Sequence, residues 1–487
     1  VYKRHAHNMA NALDQRGTRG MKKASMKALS GIDLQKRLPN ARIIYVSATG
    51  ATEVENLGYA ERLGLWGEGT PFPDKQTFVS EIKSGGVAAM EVVAKDLKSM
   101  GVYTSRSLAY DDVEYSTIEH PLTDNQRVTY DELATAWQTV LQNVNEALED
   151  TGAITDEQTN GAAKSAAYSA FWGSHQRFFN QILTGLQMPS VITDMEQQLA
   201  NDKSAVLQLV NTNEAVQERR MNQAADAGIT LDEIDITPRD ILMQYVTNGF
   251  PVNQYEEYMD DDGNIRSRPA MDSNGNHIIN PEAVEKREAM LDIIGALEVP
   301  EGPLEQIINH FGSDAVSEIT GRKRRLVRNA DGTVTEEKLG AAKAKKDADD
   351  FMAGKKRILI FSDAGGTGRS YHASNTVKNQ QQRIHYLIQP GWRADKAVQG
   401  TGRTHRTNQA NAPHYKLVTT DLKAQRRFIS TIARRLDQLG ALTKGQRDTS
   451  SQGMFSADMN LEGVYGEAAL QALIDDIHNN RIEGITL

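Results

Sequence analysis

The residues with the clearest chemical capacity stand together at Gln399-Gly400-Thr401-Gly402-Arg403-Thr404-His405-Arg406. Two guanidinium groups three residues apart suit an anion. Each is planar, permanently charged and forked, so its N–H donors match the oxygens of a phosphate. When a phosphoryl group leaves a nucleotide, negative charge spreads over its oxygens, and an arginine brought across a cleft stabilises that charge. On this reading Arg403 and Arg406 complete a nucleotide site, with Arg406 the better placed for the transition-state contact. Gln399 aligns nucleotide, water or the neighbouring arginine. Arg and Gly are common, so the octapeptide takes its meaning from the elements around it.

Upstream, Lys356 to Ser362 is a short apolar run that reads as a buried parallel strand. It runs into the Gly-rich segment Asp363 to Ser370. A second run, Arg383 to Gln389, ends at Pro390-Gly391, and Trp392 to Val398 reads as a helix leading into the arginines. The Gly-rich segment matches a phosphate loop of the form G-x-x-x-x-G-K-[ST] poorly, because Asp363 replaces the first Gly and Arg369 the Lys; that reading and a plain turn with no ligand are the lesser alternatives to the one its neighbours support. Strand, Gly-rich turn, strand, helix and arginines in this order resemble the second RecA-like lobe of a superfamily 2 helicase. Asp363 to Ser370 then takes the place of motif V, and Gln399 to Arg406 that of motif VI. At the front, the strand-like run Ala41 to Val46 precedes Ser47-Ala48-Thr49, the S-A-T of motif III. That resemblance implies nucleotide contacts from Asp363, Gly368, Ser370 and Gly402. It also implies coupling of the nucleotide site to a nucleic-acid groove through Ser47, Ala48 and Thr49.

Longer stretches narrow the likeness. Tyr45-Val46-Ser47-Ala48-Thr49-Gly50-Ala51, Arg62 to Gly67, Ser174 to Phe179, Glu318-Ile319-Thr320-Gly321-Arg322-Lys323, Val377-Lys378-Asn379-Gln380 and Gly402 to Gln409 follow one another in order. Arg435-Leu436 and Leu439 to Thr443 come next. In these the chain resembles the Strawberry notch helicase-like proteins. The resemblance implies an α/β fold: RecA-like parallel-sheet lobes with helices on both faces, plus helical extensions. It also implies ATP with Mg2+ in the complete protein, and a nucleic-acid track with DNA favoured. Eukaryotic members look like chromatin and transcription regulators, whereas bacterial and phage relatives often adjoin a DNA methyltransferase.

The chain departs from that pattern at its front. Where an acidic box would hold Mg2+ before His7, Arg4 and His5 stand instead, and neither binds a hard cation. There is no G-K-[ST] loop, and the first residue is Val1. The expectation is therefore a truncated first lobe and a complete second one, with the phosphate loop supplied by an upstream part of the same polypeptide or by a partner. Residues 1–487 alone are expected to show no ATP turnover.

Composition sets wider bounds. At 487 residues the chain is long enough for two or three cored domains. It has no cysteine, which excludes disulfides, thiol nucleophiles and thiolate zinc sites. No apolar run long enough for a membrane span and no signal peptide are visible, so no membrane partner is expected. A cytoplasmic setting follows, in a bacterial or phage-infected cell by preference, nuclear if eukaryotic. The formal charge of −9 requires any phosphate-binding charge to be confined to a groove. Arg322-Lys323-Arg324-Arg325 is the most basic run and is expected at a nucleic-acid backbone. Asn211, closing the strand-like run Ser204 to Asn211, is expected near a phosphate or in a turn.

Residues 1–75 read as the remnant of lobe one and 76–160 as a helical extension. Residues 161–448 read as lobe two with a polar insertion at 253–283, and 449–487 as a tail whose helix, Glu467 to Arg481, packs onto that lobe. His175 to Arg177 read as packed or surface residues and Trp137 as core. Two other functions fit the same residues: a non-catalytic nucleic-acid or partner-binding module, and an accessory region of a phage or bacterial DNA-modifying polypeptide.

Overall fold

A computed structural model of the chain describes residues 2–4, 9–17, 20–46, 53–104, 112–156, 158–209, 237–259, 265–328, 333–362, 369–389, 394–422, 425, 464–479 and 481. Near the amino end, strand Tyr2–Arg4 pairs in parallel with Ile44–Val46, so that Arg4 lies beside Val46. Helix α1 (Met26–Arg37) begins where the Ser25 side chain accepts from the Ala28 N–H. Its last carbonyls are gathered by Arg62, which donates to Gln35 O at 3.0 Å, Leu38 O at 3.2 Å and Pro39 O at 2.6 Å. One guanidinium thus closes a helix end that the chain leaves without a glycine cap. The helical stretch expected from Phe78 to Tyr103 is two helices, α2 (Lys75–Ser84) and α3 (Gly86–Ser99). They part at Gly85-Gly86, where Gly86 takes φ +63°, a conformation that disfavours side chains.

Six strands form one all-parallel sheet: β1 (Glu114–His120), β2 (Ser204–Leu209), β3 (Val316–Ile319), β4 (Ile358–Ser362), β5 (Arg383–Leu387) and β6 (His414–Thr420). Their spatial order is β1–β6–β5–β2–β4–β3. The central strands β2, β4 and β5 are buried along their whole length, as their largely apolar sequences lead one to expect. Strand β1 was not expected. It lies inside the stretch 76–160 read as a helical extension, yet it extends the sheet by pairing with β6 from Glu114–His414 to His120–Thr420. Its E-Y-S-T-I-E-H sequence is mostly solvent-facing, as befits an edge, and carries no apolar run to betray it.

Both faces of the sheet are covered. Helices α4 (Asp124–Asp150) and α5 (Gly161–Leu186) lead into α6 (Met188–Ala200), and α6 packs Met188, Val191 and Met195 against Ala205, Leu207, Ile360 and Tyr386. A separate core joins α4 and α5 to α7 (Arg239–Gly249) and α8 (Pro281–Gly295). Thr123 and Gln126 form a capping box that starts α4. Trp137 sits at the centre of that core at 1% exposure, ringed by Phe171, Phe178 and Tyr245. His175 joins the same aromatic cluster, 5.2 Å from Trp137 and 4.7 Å from Phe179 between ring centres. Helix α9 (Pro303–Phe311) covers one sheet face. Helix α10 (Ala341–Met352) places Ala348 and Phe351 on the other, against Val206, Leu359 and Phe361. Among the described residues no helix is long and apolar enough to cross a membrane.

The basic run at 322–325 meets protein, not solvent. Arg322 and Arg325 are 2% and 1% exposed and converge on Glu318, itself 1% exposed, in edge strand β3. Arg322 Nε lies 2.8 Å from Glu318 Oε1 and its Nη1 2.7 Å from Glu305. Arg325 Nη1 lies 2.9 Å from Glu318 Oε2, and its Nη2 2.6 Å from Glu337 on the hairpin Arg324–Arg328/Val334–Lys338. The two cations hold the Glu318 carboxyl below its usual range against the opposing pull of burial. A backbone-contact role for Arg322 and Arg325 is therefore corrected: the first and last residues of the run turn inward to neutralise a buried carboxylate. Lys323 is exposed, and Arg324 lies 3.8 Å from Glu336.

The tail helix α12 (Val464–His478) also differs from expectation. Leu470, Leu473 and Ile474 are 57%, 46% and 50% exposed, so this face does not pack on the lobe.

Removing the buried carboxylate should be costly. Glu318→Ala leaves two buried guanidinium groups facing each other, and should lower stability by about 3–5 kcal/mol in urea unfolding. Arg324→Ala should change it by less than about 1 kcal/mol.

Candidate functional site

Helix α11 (Ala394–Thr401) and the turn after it lie across the face of the sheet that carries Val206, Gln208, Phe361, His385 and Tyr415. The helix can come this close because residue 400 is glycine. A Cβ there would overlap the side chain of Gln208, which is 3% exposed near the end of β2. Beyond the helix the turn is fastened at several points. Tyr415 Oη donates to the Thr401 carbonyl at 2.7 Å, and Thr404 Oγ1 lies 2.8 Å from His385 Nδ1. The Tyr371 N–H donates to the Arg403 carbonyl at 2.7 Å. Past the turn, Gln409–Asn411 pairs with Ala373–Ser374. Asn408 adopts φ +63°, which asparagine tolerates better than most residues.

These fastenings give the two arginines different surroundings. Arg403 is 8% exposed; its guanidinium lies 5.6 Å from the centre of the Phe361 ring and donates to the Arg369 carbonyl at 3.0 Å. Arg406 is exposed, with its backbone N–H held by Gln409 Oε1 at 3.2 Å. Gln399 and Gly402 are half-buried on the last turn of the helix and just past it, and Ser370 is half-buried beside Tyr371. The structure thus brings Gln399, Gly402, Arg403, Arg406 and Ser370 into one region. Asp363, Gly368, Ser47, Ala48, Thr49 and Asn211 lie outside the described residues, as do His5 and His7. For Mg2+ the described side chains offer no ligand set, since no three His, Asp or Glu side chains among them gather to hold a metal.

Three residues supporting this region were not singled out in the sequence. Arg383 is fully buried at the start of β5, lies 4.9 Å from the Phe351 ring, and donates to the carbonyls of Tyr371, Asn379 and Gln381 and to Asn379 Oδ1. It thereby shapes the loop that begins at Tyr371 and contains Val377 to Gln380. Burial presses its pKa downward, and its oxygen cage is neutral. His385 is wholly buried, and burial followed by the nearby Arg403 charge lowers its pKa to about 3, so it is neutral at physiological pH. Half-buried His372 is lowered by burial and then by Arg406, Arg383 and His405. The available signal was a polar residue inside a buried strand: R-I-H-Y-L places Arg383 and His385 where apolar side chains are the rule.

An open all-parallel sheet with helices on both faces, crossed by an arginine-bearing turn, defines an α/β protein of the P-loop NTPase-like, helicase-like class. Two family profiles match the chain. One is described as P-loop containing NTP hydrolase pore-1 and covers residues 3–132; the other is described as the C-terminal domain on Strawberry notch homologues and covers residues 302–487. The chain is thus similar to Strawberry notch proteins over most of its length. It is 30% identical to protein strawberry notch homolog 1 of Rattus norvegicus over 94% of this chain and 41% of that protein. It is 31% identical to protein strawberry notch homolog 2 of Mus musculus over 92% and 38%. To protein FORGETTER 1 of Arabidopsis thaliana it is 28% identical over 91% and 42%. The chain spans about two fifths of the length of these curated relatives. They are animal and plant proteins, and lend no support to a bacterial or phage setting.

Two outcomes follow from this geometry. Gly400→Ala should lower stability by about 1–3 kcal/mol through overpacking, and Gln208→Ala in the same chain should recover most of the loss in urea unfolding. The second concerns pH. Because folded His385 stays neutral down to about 3 while its unfolded counterpart protonates near 6.5, the unfolded chain binds more protons throughout that window. Stability should therefore fall as pH drops below about 6.5, with His385 contributing up to about 1.4 kcal/mol per pH unit. His372 and His414, also lowered, act in the same direction. Urea midpoints at several pH values check this, and His385→Asn should flatten the dependence.

Proposed function

We propose that the parallel sheet and its arginine turn are the second lobe of an ATP-driven motor acting on nucleic acid, DNA in the first instance. Residues 1–75 belong to the first lobe. The observation that carries the reading is the unequal placing of the arginines: Arg403 is packed between Phe361 and the Arg369 carbonyl, while Arg406 is exposed at the tip. A buried guanidinium fixes the turn, and an exposed one can meet a phosphoryl group brought from outside the lobe. ATP and its Mg2+ are held elsewhere in this reading, by a phosphate loop and acidic box that residues 1–487 do not contain, in the same polypeptide or a partner. Gln399, Gly402, Ser370, Asp363 and Gly368 line the second lobe's side of the nucleotide. Ser47, Ala48 and Thr49 couple nucleotide to strand. Lys323, Arg324 and Asn211 remain candidates for the nucleic-acid backbone.

Arg4 and His5 in place of an acidic pair favour a second reading, a binding module that never hydrolyses ATP. Three measurements separate the two. Single-stranded DNA should bind residues 1–487 with an affinity that drops about tenfold or more between about 50 and 200 mM salt; no binding at the lower salt overturns the nucleic-acid assignment. Residues 1–487 alone should not turn over ATP. Together with the polypeptide bearing the phosphate loop they should do so under DNA stimulation, and Arg406→Ala should then reduce kcat by about 10³ with KM little changed. An unchanged kcat would remove the arginine assignment, and failure of the pair to hydrolyse ATP would favour the binding module.

A further inference from the structure

Strand β5 is an apolar core strand interrupted by one wholly buried imidazole. The His385 ring lies between Phe361, 5.8 Å away, and Tyr415, 5.4 Å away, centre to centre. Its Nδ1 lies 2.8 Å from Thr404 Oγ1, and its Nε2 is buried with no hydrogen-bond partner among the described residues. The bond between ring and hydroxyl can be made with either as donor, the Thr404 hydroxyl also lying 3.1 Å from the Thr401 carbonyl. An unpaired buried nitrogen is a cost that a phenylalanine in the same slot would not incur. What imidazole does there, and phenylalanine cannot, is the bond to Thr404.

We propose that His385, acting through Thr404, is the positioning residue that sets where Arg403 and Arg406 stand; the inference rests on reading these two as the nucleotide-facing pair. Thr404 directly follows Arg403 and precedes Arg406 by two residues. Tyr415 of β6 holds the Thr401 carbonyl on one side of the turn, and His385 of β5 holds Thr404 on the other. Two adjacent strands thus grip the turn at points three residues apart. The intervening Arg403 has its carbonyl tied to Tyr371 and its guanidinium laid over Phe361. Releasing the Thr404 point leaves the turn held at the Thr401 and Arg403 carbonyls, and loosens the Arg403 side chain in its slot.

Arginine labelling by phenylglyoxal, mapped by mass spectrometry on residues 1–487, reads this directly. In the unaltered chain Arg406 should react and Arg403 should be protected. His385→Phe and Thr404→Val, which keep volume and lose the hydrogen bond, should raise Arg403 labelling about tenfold or more. His385→Asn, whose amide stands where Nδ1 stood, and Thr404→Ser should restore protection. Arg322 and Arg325 should stay protected throughout, reporting an intact sheet. A packing role for His385 predicts the reverse order, with His385→Phe protected and His385→Asn labelled, and that result would overturn the proposal. So would protection of Arg403 in both His385→Phe and Thr404→Val. If His385→Phe does not fold, the Thr404→Val and Thr404→Ser pair decides alone. Labelling needs no ATP, so failure of the motor reading, seen as an unchanged kcat for Arg406→Ala, is distinguished from failure of this one.

Discussion

A parallel sheet covered on both faces has almost no access to water, so any polar side chain it contains must find its partners inside the protein. Much of what distinguishes this chain follows from that constraint. Glu318 in β3 is admissible because Arg322 and Arg325 turn in to meet it. Arg383 in β5 is admissible because the loop from Tyr371 to Gln381 wraps carbonyls around it. On the opposite face Asp194 of α6 takes Lys416 at 2.7 Å and the Tyr386 hydroxyl at 2.7 Å, tying α6 to β6 and β5. Each polar group in the sheet thus dictates the path of a segment outside it.

The arginine turn obeys the same rule. Its helix lies against Gln208 because Gly400 has no side chain, and its turn is fastened by hydroxyl and imidazole groups that rise from β5 and β6. The paired arginines therefore inherit the rigidity of strands, although they sit in a connecting segment. Sites borne by rigid elements hold geometry better than sites on free loops.

Much of this could be read from the residues. The buried strands announce themselves as apolar runs, and the helix stripe around Trp137 shows its period. The order of the quoted stretches carried the likeness to Strawberry notch proteins. Contacts that join distant parts of the chain were not legible. Strand β1 is charged and half-exposed, and only its pairing with β6, far along the chain, makes it a strand. Arg322 and Arg325 look like a solvent-facing basic run because their carboxylate partners lie in three separate elements: Glu305 in α9, Glu318 in β3 and Glu337 in the hairpin. His385 was passed over because a lone polar residue in an apolar run gives no hint of what will stand opposite it. The exposed face of α12 fails for the opposite reason: its apolar stripe is clear, and a stripe does not say which surface receives it.

The pairing of β1 with β6 also bears on how the protein is made. A strand ending at His120 finds its neighbour only in one that ends at Thr420, about 300 residues later. At a synthesis rate of about 5–20 residues per second, β1 emerges and waits roughly 15–60 s for that neighbour. During the wait its N–H and C=O groups are unpaired, and an unpaired strand edge invites pairing with other chains. The glutamates at its two ends, Glu114 and Glu119, place charge on that waiting edge, and α4 with α5 can build their own core from the residues that follow at once. The sheet is therefore closed last, when its final strand in sequence reaches its first.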